Sequence, residues 1–230
     1  MNLRIVFIHV PKTAGTSMRA ALTGMCGANA YLHIEGSARL CADFQHVAAM
    51  APAEALRATR GVGGHLSFAA AASWFAPAHF VTILRDPVER FISDYCAQPA
   101  FMTKPDYNLS QFEEFIAVKP SPENALDNLH VRMLSDDPRF DSPVVPAMLD
   151  EARRNLERFF SAVGFFDDLP RFVAQIAKLM GADQPPALPT TNVTGGYREH
   201  VTARIRDIAA AYNQFDLALY AWAKARFAAP

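Results

Sequence analysis

The sequence predicts an α/β protein in which a mainly parallel central sheet is flanked by helices in three layers. Two short apolar runs, Ile5-Val6-Phe7-Ile8 with Val10 and Phe80-Val81-Thr82-Ile83-Leu84, have the β-branched content of strands buried on both faces. Each ends in a polar segment that opens a helix. After the first run, Met18, Ala21, Leu22 and Met25 recur at helical spacing; after the second, Asp86 is placed to cap and Pro87 to occupy the first turn, where a missing N–H costs nothing. With 230 residues, 51% of them hydrophobic, the chain suffices for one substantial core and is short for two, so residues 1–230 are read as a single domain.

The loop between the first strand and its helix is Pro11-Lys12-Thr13-Ala14-Gly15-Thr16-Ser17. Strand, small-residue loop and helix form the layout of an anion cradle, because a helix start offers unpaired N–H groups and partial positive charge, and small residues let a phosphate approach. The arrangement is P-loop-like but departs from the triphosphate pattern G-x-x-x-x-G-K-[ST]. Its lysine, Lys12, precedes the glycine, and Gly15-Thr16-Ser17 closes the loop without a second lysine.

The second strand ends in Arg85-Asp86-Pro87-Val88-Glu89-Arg90-Phe91-Ile92-Ser93-Asp94-Tyr95. Arg85 then falls at the carboxyl edge of the sheet, where open α/β folds bind ligands. Its guanidinium fork matches phosphate oxygens, and Ser93 offers a hydroxyl from the helix that follows.

These two stretches resemble a known family. PKTAGTS looks like the 5′-phosphosulfate loop, and TILRDPVERFISDY like the 3′-phosphate motif, of sulfotransferases that use 3′-phosphoadenosine-5′-phosphosulfate (PAPS). The pattern is most similar to the carbohydrate sulfotransferases of the heparan sulfate type and their bacterial relatives. Gly64-His65-Leu66 falls where that family keeps its catalytic histidine, and Asn128 to Leu134 is similar to its N-x-Q-x-R-M-L segment, with His130 in the glutamine position. Thr191-Asn192-Val193-Thr194 and Asp216 to Tyr220 fit as well, so the likeness covers most of the chain.

The remaining elements follow in order. Tyr31 to Ile34 reads as a short strand, Pro52 to Arg60 as a helix, and Gly61 to Phe68 as a strand edge that turns, its glycines marking close approach of the backbone to something. Ala69 to Phe75 reads as a helix. Gln98 to Tyr107 is an apolar loop, Ser110-Gln111-Phe112-Glu113 a capping box ended by Lys119-Pro120, and Asn124 to Leu134 a helix with Asn128 and Arg132 on one face. Pro138 to Pro146 is an irregular connection, Met148 to Phe160 a helix with a charged face, and Ala162 to Phe166 a strand. Leu169, Phe172, Val173, Ile176, Leu179 and Met180 mark an amphipathic helix stopped by Gly181. The Pro-, Thr- and Gly-rich stretch from Asp183 to Arg198 is long for a loop, which points to function. Val201, Ile205, Ile208 and Tyr212 mark the next helix, and Asp216 is placed to cap the last.

A net charge of −1 argues against broad binding of nucleic acid or an acidic membrane. Cys26, Cys41 and Cys96 are odd in number, widely spaced and without a zinc pattern, as expected of reduced thiols. No apolar run reaches membrane-spanning length, and the first strand begins close to Met1, so a cytoplasmic location is expected. His9, His33, His46, His79 and His200 are read as structural.

The resemblance implies sulfuryl transfer from PAPS to a hydroxyl on a carbohydrate or small metabolite, releasing adenosine 3′,5′-bisphosphate (PAP), with no metal required. Lys12 would stabilise the leaving phosphate and His65 would act as general base. The 5′-phosphate would rest on Thr13, Ala14, Gly15, Thr16 and Ser17, the 3′-phosphate on Arg85 and Ser93. In the resembled family the region containing Asn192, Thr194 and Arg198 closes over the cofactor, which makes these three further candidate contacts. Two alternatives stay open: a nucleotide-dependent kinase or hydrolase with Asp86 as metal ligand, and a non-catalytic nucleotide-binding protein of the same fold. Oligomeric state is not readable from the sequence.

Overall fold

Strand β1, Ile5–Ile8, lies at the centre of a five-stranded sheet. The structure, a computed structural model, describes residues 5–34, 58–97, 127–137, 142–182, 184–188 and 201–228. Beside β1 run β3, Gly61–Gly64, and β4, His79–Leu84; outside them lie β2, Tyr31–Ile34, and β5, Phe160–Phe165. The order is β2-β3-β1-β4-β5, and every pairing is parallel. The register sets Ile5 against Gly61 and His79, and Ile8 against Gly64 and Thr82. All described strand ends of one polarity therefore meet at one edge, the geometry expected of a doubly wound sheet.

Alternation along the strands divides the core. Ile5, Phe7, Val81, Ile83 and Ala162 face helix α1, Gly15–Cys26, and helix α6, Leu169–Met180, whose Met18, Leu22, Phe172 and Ile176 complete that layer. Val6, Ile8, Val62, Phe80, Leu84 and Val163 face the opposite layer. That layer comprises α2, Phe68–Phe75; α4, Leu129–Leu134; α5, Pro146–Phe159; and α8, Gln214–Phe227. Helix α3, Pro87–Tyr95, packs on α7, Ala203–Tyr212, through Phe91, Ile92, Tyr95, Ile205 and Ala209. Three layers around a parallel sheet match the predicted class.

Several local predictions hold for stated reasons. Asp86 caps α3, its Oδ1 accepting from the backbone N–H groups of Val88 and Glu89 at 3.0 Å, and Pro87 follows at the first turn. Gly181 ends α6 in the left-handed conformation, φ 70°. Thr82, the one hydroxyl within apolar β4, donates to the Ile8 carbonyl at 2.9 Å and so is satisfied inside the sheet.

Others change. The glycines of β3 accommodate the protein's own atoms: a Cβ on Gly61 would meet Cys26 Sγ at 2.5 Å, one on Gly63 would run into the Tyr31 hydroxyl, and one on Gly64 into the Ile34 carbonyl. The helix expected from Asn124 starts only at Leu129, because Asn128 adopts φ 48° and stands outside it. Its amide is sewn to the α7–α8 junction, donating to Tyr212 O at 3.0 Å and accepting from the N–H groups of Phe215 and Asp216. Arg132 is likewise buried, bonded to Asp127 and to the Ser142 carbonyl, so neither residue belongs to a solvated face.

Asp216 caps a different helix from the one expected. It lies in the first turn of α8, but its carboxylate receives the N–H groups of His130 and Val131, at 3.0 and 2.8 Å, at the start of α4. The readings for most of 52–60, for 98–120, and for most of the 183–198 loop, including Asn192, Thr194 and Arg198, lie outside the described residues.

Candidate active site

The phosphate loop leaves β1 at the carboxyl edge of the sheet and is held by its own backbone. Lys12 and Ala14 adopt left-handed φ values of 68° and 71° on either side of Thr13. Left-handed residues of this kind cost about 1–3 kcal/mol each and gather at ligand sites, where alternating backbone conformations make anion-binding nests of N–H groups. Thr13 is fully buried, and its hydroxyl donates to Val10 O at 2.7 Å, so the side chain braces the loop and leaves the backbone to face outward. Helix α1 then begins with no side-chain cap, as do α4, α5, α6 and α8. An anion on the loop would meet a helix start whose partial charge no side chain answers.

The second motif reaches into this loop. Arg85, at the end of β4, donates from Nη1 to the Lys12 carbonyl at 2.9 Å, joining residues 73 apart in sequence. Its guanidinium lies 4.3 Å from the centre of the Phe166 ring, which stands at the end of β5 and is 38% exposed. Its backbone N–H donates to His130 Nε2 at 3.3 Å, and His130 Nδ1 pairs with Asp216 Oδ2 at 2.8 Å. The accepting Nε2 assigns the proton of the His130–Asp216 pair to Nδ1. Burial would raise the Asp216 pKa, but His130, Arg90 and the Val131 N–H together outweigh it and hold the carboxyl below its ordinary value. A buried Asp–His pair thus fixes the backbone from which Arg85 projects.

Ser93 is buried on α3, one residue before Asp94, whose carboxylate lies 3.5 Å from Arg90. Burial raises the Asp94 pKa against the pull of Arg90 and Lys12. For Lys12 burial is again the largest influence, lowering its pKa; Asp94 opposes it and Arg85 adds to it. A partly desolvated ammonium beside a guanidinium favours an incoming anion.

His65 follows β3 at the same edge. Its ring lies 4.6 Å from that of His9, tilted by 39°, and the His9 ring stacks on Phe7 at 5.5 Å. Burial first, and the neighbouring His33 second, push His65 down to about 4, so the imidazole is neutral at pH 7 and a weaker base than a solvated histidine. His9 is held well below its ordinary value by burial, His65 and His33.

The structure therefore brings Lys12 to Ser17, His65 and Arg85 to the carboxyl ends of β1, β3 and β4. Two side chains beside these residues carried no functional expectation. His9, read as structural, lies two residues before the loop and continues the alternation of Ile5 and Phe7; Phe166 has no local mark, since its relation to Arg85 arises only from the pairing of β4 with β5. Among the described residues, no group of three or more His, Cys, Asp or Glu side chains is placed to hold a metal ion, and no helix is long and apolar enough to cross a membrane.

An open parallel sheet with a small-residue loop after its central strand, crossed by an arginine from the neighbouring strand, is a fold of the P-loop-like class. A family model described as "Sulfotransferase family" matches residues 2–223. The chain belongs to the sulfotransferase family. Among solved structures, a sulfotransferase from Alicyclobacillus acidocaldarius aligns with 13% identity and a TM-score of 0.51, over 93% of this chain and 92% of that one. Retinol dehydratase, solved in a complex with retinol and PAP, aligns with 15% identity and a TM-score of 0.47, over 94% and 82%. A search of curated protein sequences finds no match.

Proposed function

We propose that the chain moves a sulfuryl group from PAPS to a hydroxyl on a carbohydrate or small metabolite, with Lys12 and His65 as its catalytic residues. The observation that carries this reading is the bond from Arg85 to the Lys12 carbonyl, which makes one cradle of two motifs far apart in sequence. When bound, PAPS supplies an activated sulfuryl group on a phosphate leaving group. The backbone of Thr13, Ala14 and Gly15, with the hydroxyls of Thr16 and Ser17, would hold the 5′-phosphate. Arg85 and Ser93 would hold the 3′-phosphate, the group that ATP lacks. Asn192, Thr194 and Arg198 remain proposed contacts on the same cofactor.

Lys12 supplies positive charge where negative charge develops on the leaving phosphate, a role whose loss costs about 10²–10³ in rate. His65, neutral at pH 7, takes the acceptor's proton on a ring nitrogen, a contribution of about 10²–10⁴. The metal-dependent kinase alternative is disfavoured by the missing G-K-[ST] pattern and by the cap of α3, which engages Oδ1 of Asp86. The test is mass-spectrometric detection of a sulfated product from PAPS with a panel of oligosaccharide and small hydroxyl acceptors. Lys12→Ala and His65→Ala are expected to lose turnover by those factors; near-normal turnover of either variant would remove the role assigned to it.

A further inference from the structure

The glycine of a phosphate loop is ordinarily explained by the ligand: without a side chain, phosphate comes closer. Here the space a side chain on Gly15 would enter is already filled. A Cβ built on Gly15 would lie inside the His9 imidazole, overlapping Cε1 and Nε2. His9 Nε2 is buried and has no hydrogen-bond partner. An orphaned buried ring nitrogen calls for an explanation, since leaving one unsatisfied is costly. The same ring touches His65 on its other side and rests on Phe7 beneath. Its backbone N–H donates to Gly64 O at 2.9 Å, tying it to the residue before His65.

We propose that His9 is a positioning residue: its imidazole is the spacer that sets the phosphate loop at Gly15 against the His65 ring. This rests on the sulfotransferase reading only for what the two flanking groups do; the spacing itself is a property of the fold. A neutral imidazole suits the place. It is thin enough to pass beneath a glycine, and flat enough to contact two rings. Loop and base are then registered through one side chain, so a shift in either is transmitted to the other.

The consequence is a dependence between positions 9 and 15 that a ligand-driven glycine would not show. Four proteins are compared: wild type, Gly15→Ala, His9→Ala and the double variant, each by thermal unfolding without ligand and by affinity for PAP. Gly15→Ala in the wild-type background is expected to lower Tm by several degrees and weaken PAP at least about tenfold, because the methyl displaces the imidazole. In the His9→Ala background the same change should cost less than about threefold in PAP affinity and about one degree or less in Tm. Should His9→Ala fail to fold, His9→Val carries the same comparison, because it also vacates the volume of the ring.

The His65 side is read separately by NMR of its imidazole, against which His9 and His33 are the titratable neighbours among the described residues. The His65 titration midpoint is expected to rise in His9→Ala as its packing opens, a change that general destabilisation would not produce. Equal cost of Gly15→Ala in both backgrounds, or an unmoved His65 midpoint, overturns the proposal. If wild type does not bind PAP, the functional reading fails, and the ligand-free Tm coupling still decides for or against His9.

Discussion

Replacing Arg85 by alanine separates two jobs that the structure gives to one side chain. Arg85 is almost fully buried, donates to the Lys12 carbonyl at 2.9 Å and is stacked against Phe166 at 4.3 Å. Its contact with the proposed 3′-phosphate is a charge-assisted hydrogen bond, worth about 1.5–3 kcal/mol, or about 10- to 150-fold in affinity. Its bond to the loop is a neutral-acceptor bond worth about 1 kcal/mol, or roughly fivefold. The first applies only to a nucleotide with a 3′-phosphate; the second applies to any nucleotide on the loop. Equilibrium titration of wild type and Arg85→Ala with PAP and with adenosine 5′-monophosphate measures both. PAP should weaken by the product of the two effects, the monophosphate by the smaller one alone, so the preference for PAP should fall about 10- to 150-fold. Equal weakening of both ligands would show that Arg85 only braces the loop, and the specificity argument would be wrong.

Three further outcomes follow from the same geometry. Phe166→Leu removes the ring under the guanidinium and should weaken PAP by about two- to fivefold, from a stacking contribution of about 0.5–1 kcal/mol, with little change for the monophosphate; a calorimetric titration with the two ligands checks it. Because the folded His65 pKa of about 4 lies below the unfolded value, its contribution to stability is complete above about pH 6.5 and is lost as pH falls toward 4. His9 acts in the same direction, so urea unfolding should show lower stability at pH 5 than at pH 7.5, and this acid loss should shrink in a His65→Phe variant. Asp216→Asn alters a buried carboxylate that accepts from His130 and two backbone N–H groups; with about 1–3 kcal/mol for a buried donor left unsatisfied, the Tm should fall by about 2–12 °C at about 2–4 °C per kcal/mol, seen by scanning calorimetry.

What could be read from the sequence was what local pattern determines. β1 and β4 announced themselves as mainly apolar runs because both their faces are buried. The cap at Asp86 and the stop at Gly181 are signals within a few residues of the backbone groups they satisfy. Partners chosen across the fold left no such trace. Asp216 carries the look of a local cap, yet its carboxylate serves α4, 85 and 86 residues away in sequence. Asn128 had the spacing of a helix face but stands at a left-handed turn, where it ties three chain segments. The β3 glycines correctly signalled close approach, and which atoms approach depends on Tyr31 and Ile34 of β2 lying alongside in register. In the candidate site, charge and motif pointed to Lys12 and Arg85, whereas the contacts of His9 with His65 and of Phe166 with Arg85 arise from strand order.

A cradle built, as proposed, for a nucleotide carrying a 3′-phosphate must be stabilised by PAP more than by nucleotides that lack that group. Thermal unfolding of the wild-type protein with PAP, with magnesium-ATP and with ADP tests it without knowledge of the acceptor. A ligand at one hundred times its dissociation constant adds about 2.7 kcal/mol. At roughly 2–4 °C per kcal/mol for a chain of this size, that is about 5–11 °C. PAP is expected to produce a shift of this order while ADP and magnesium-ATP at equal concentration produce much less. A shift with magnesium-ATP and none with PAP would contradict the sulfotransferase account of this site and favour a phosphoryl-transfer enzyme.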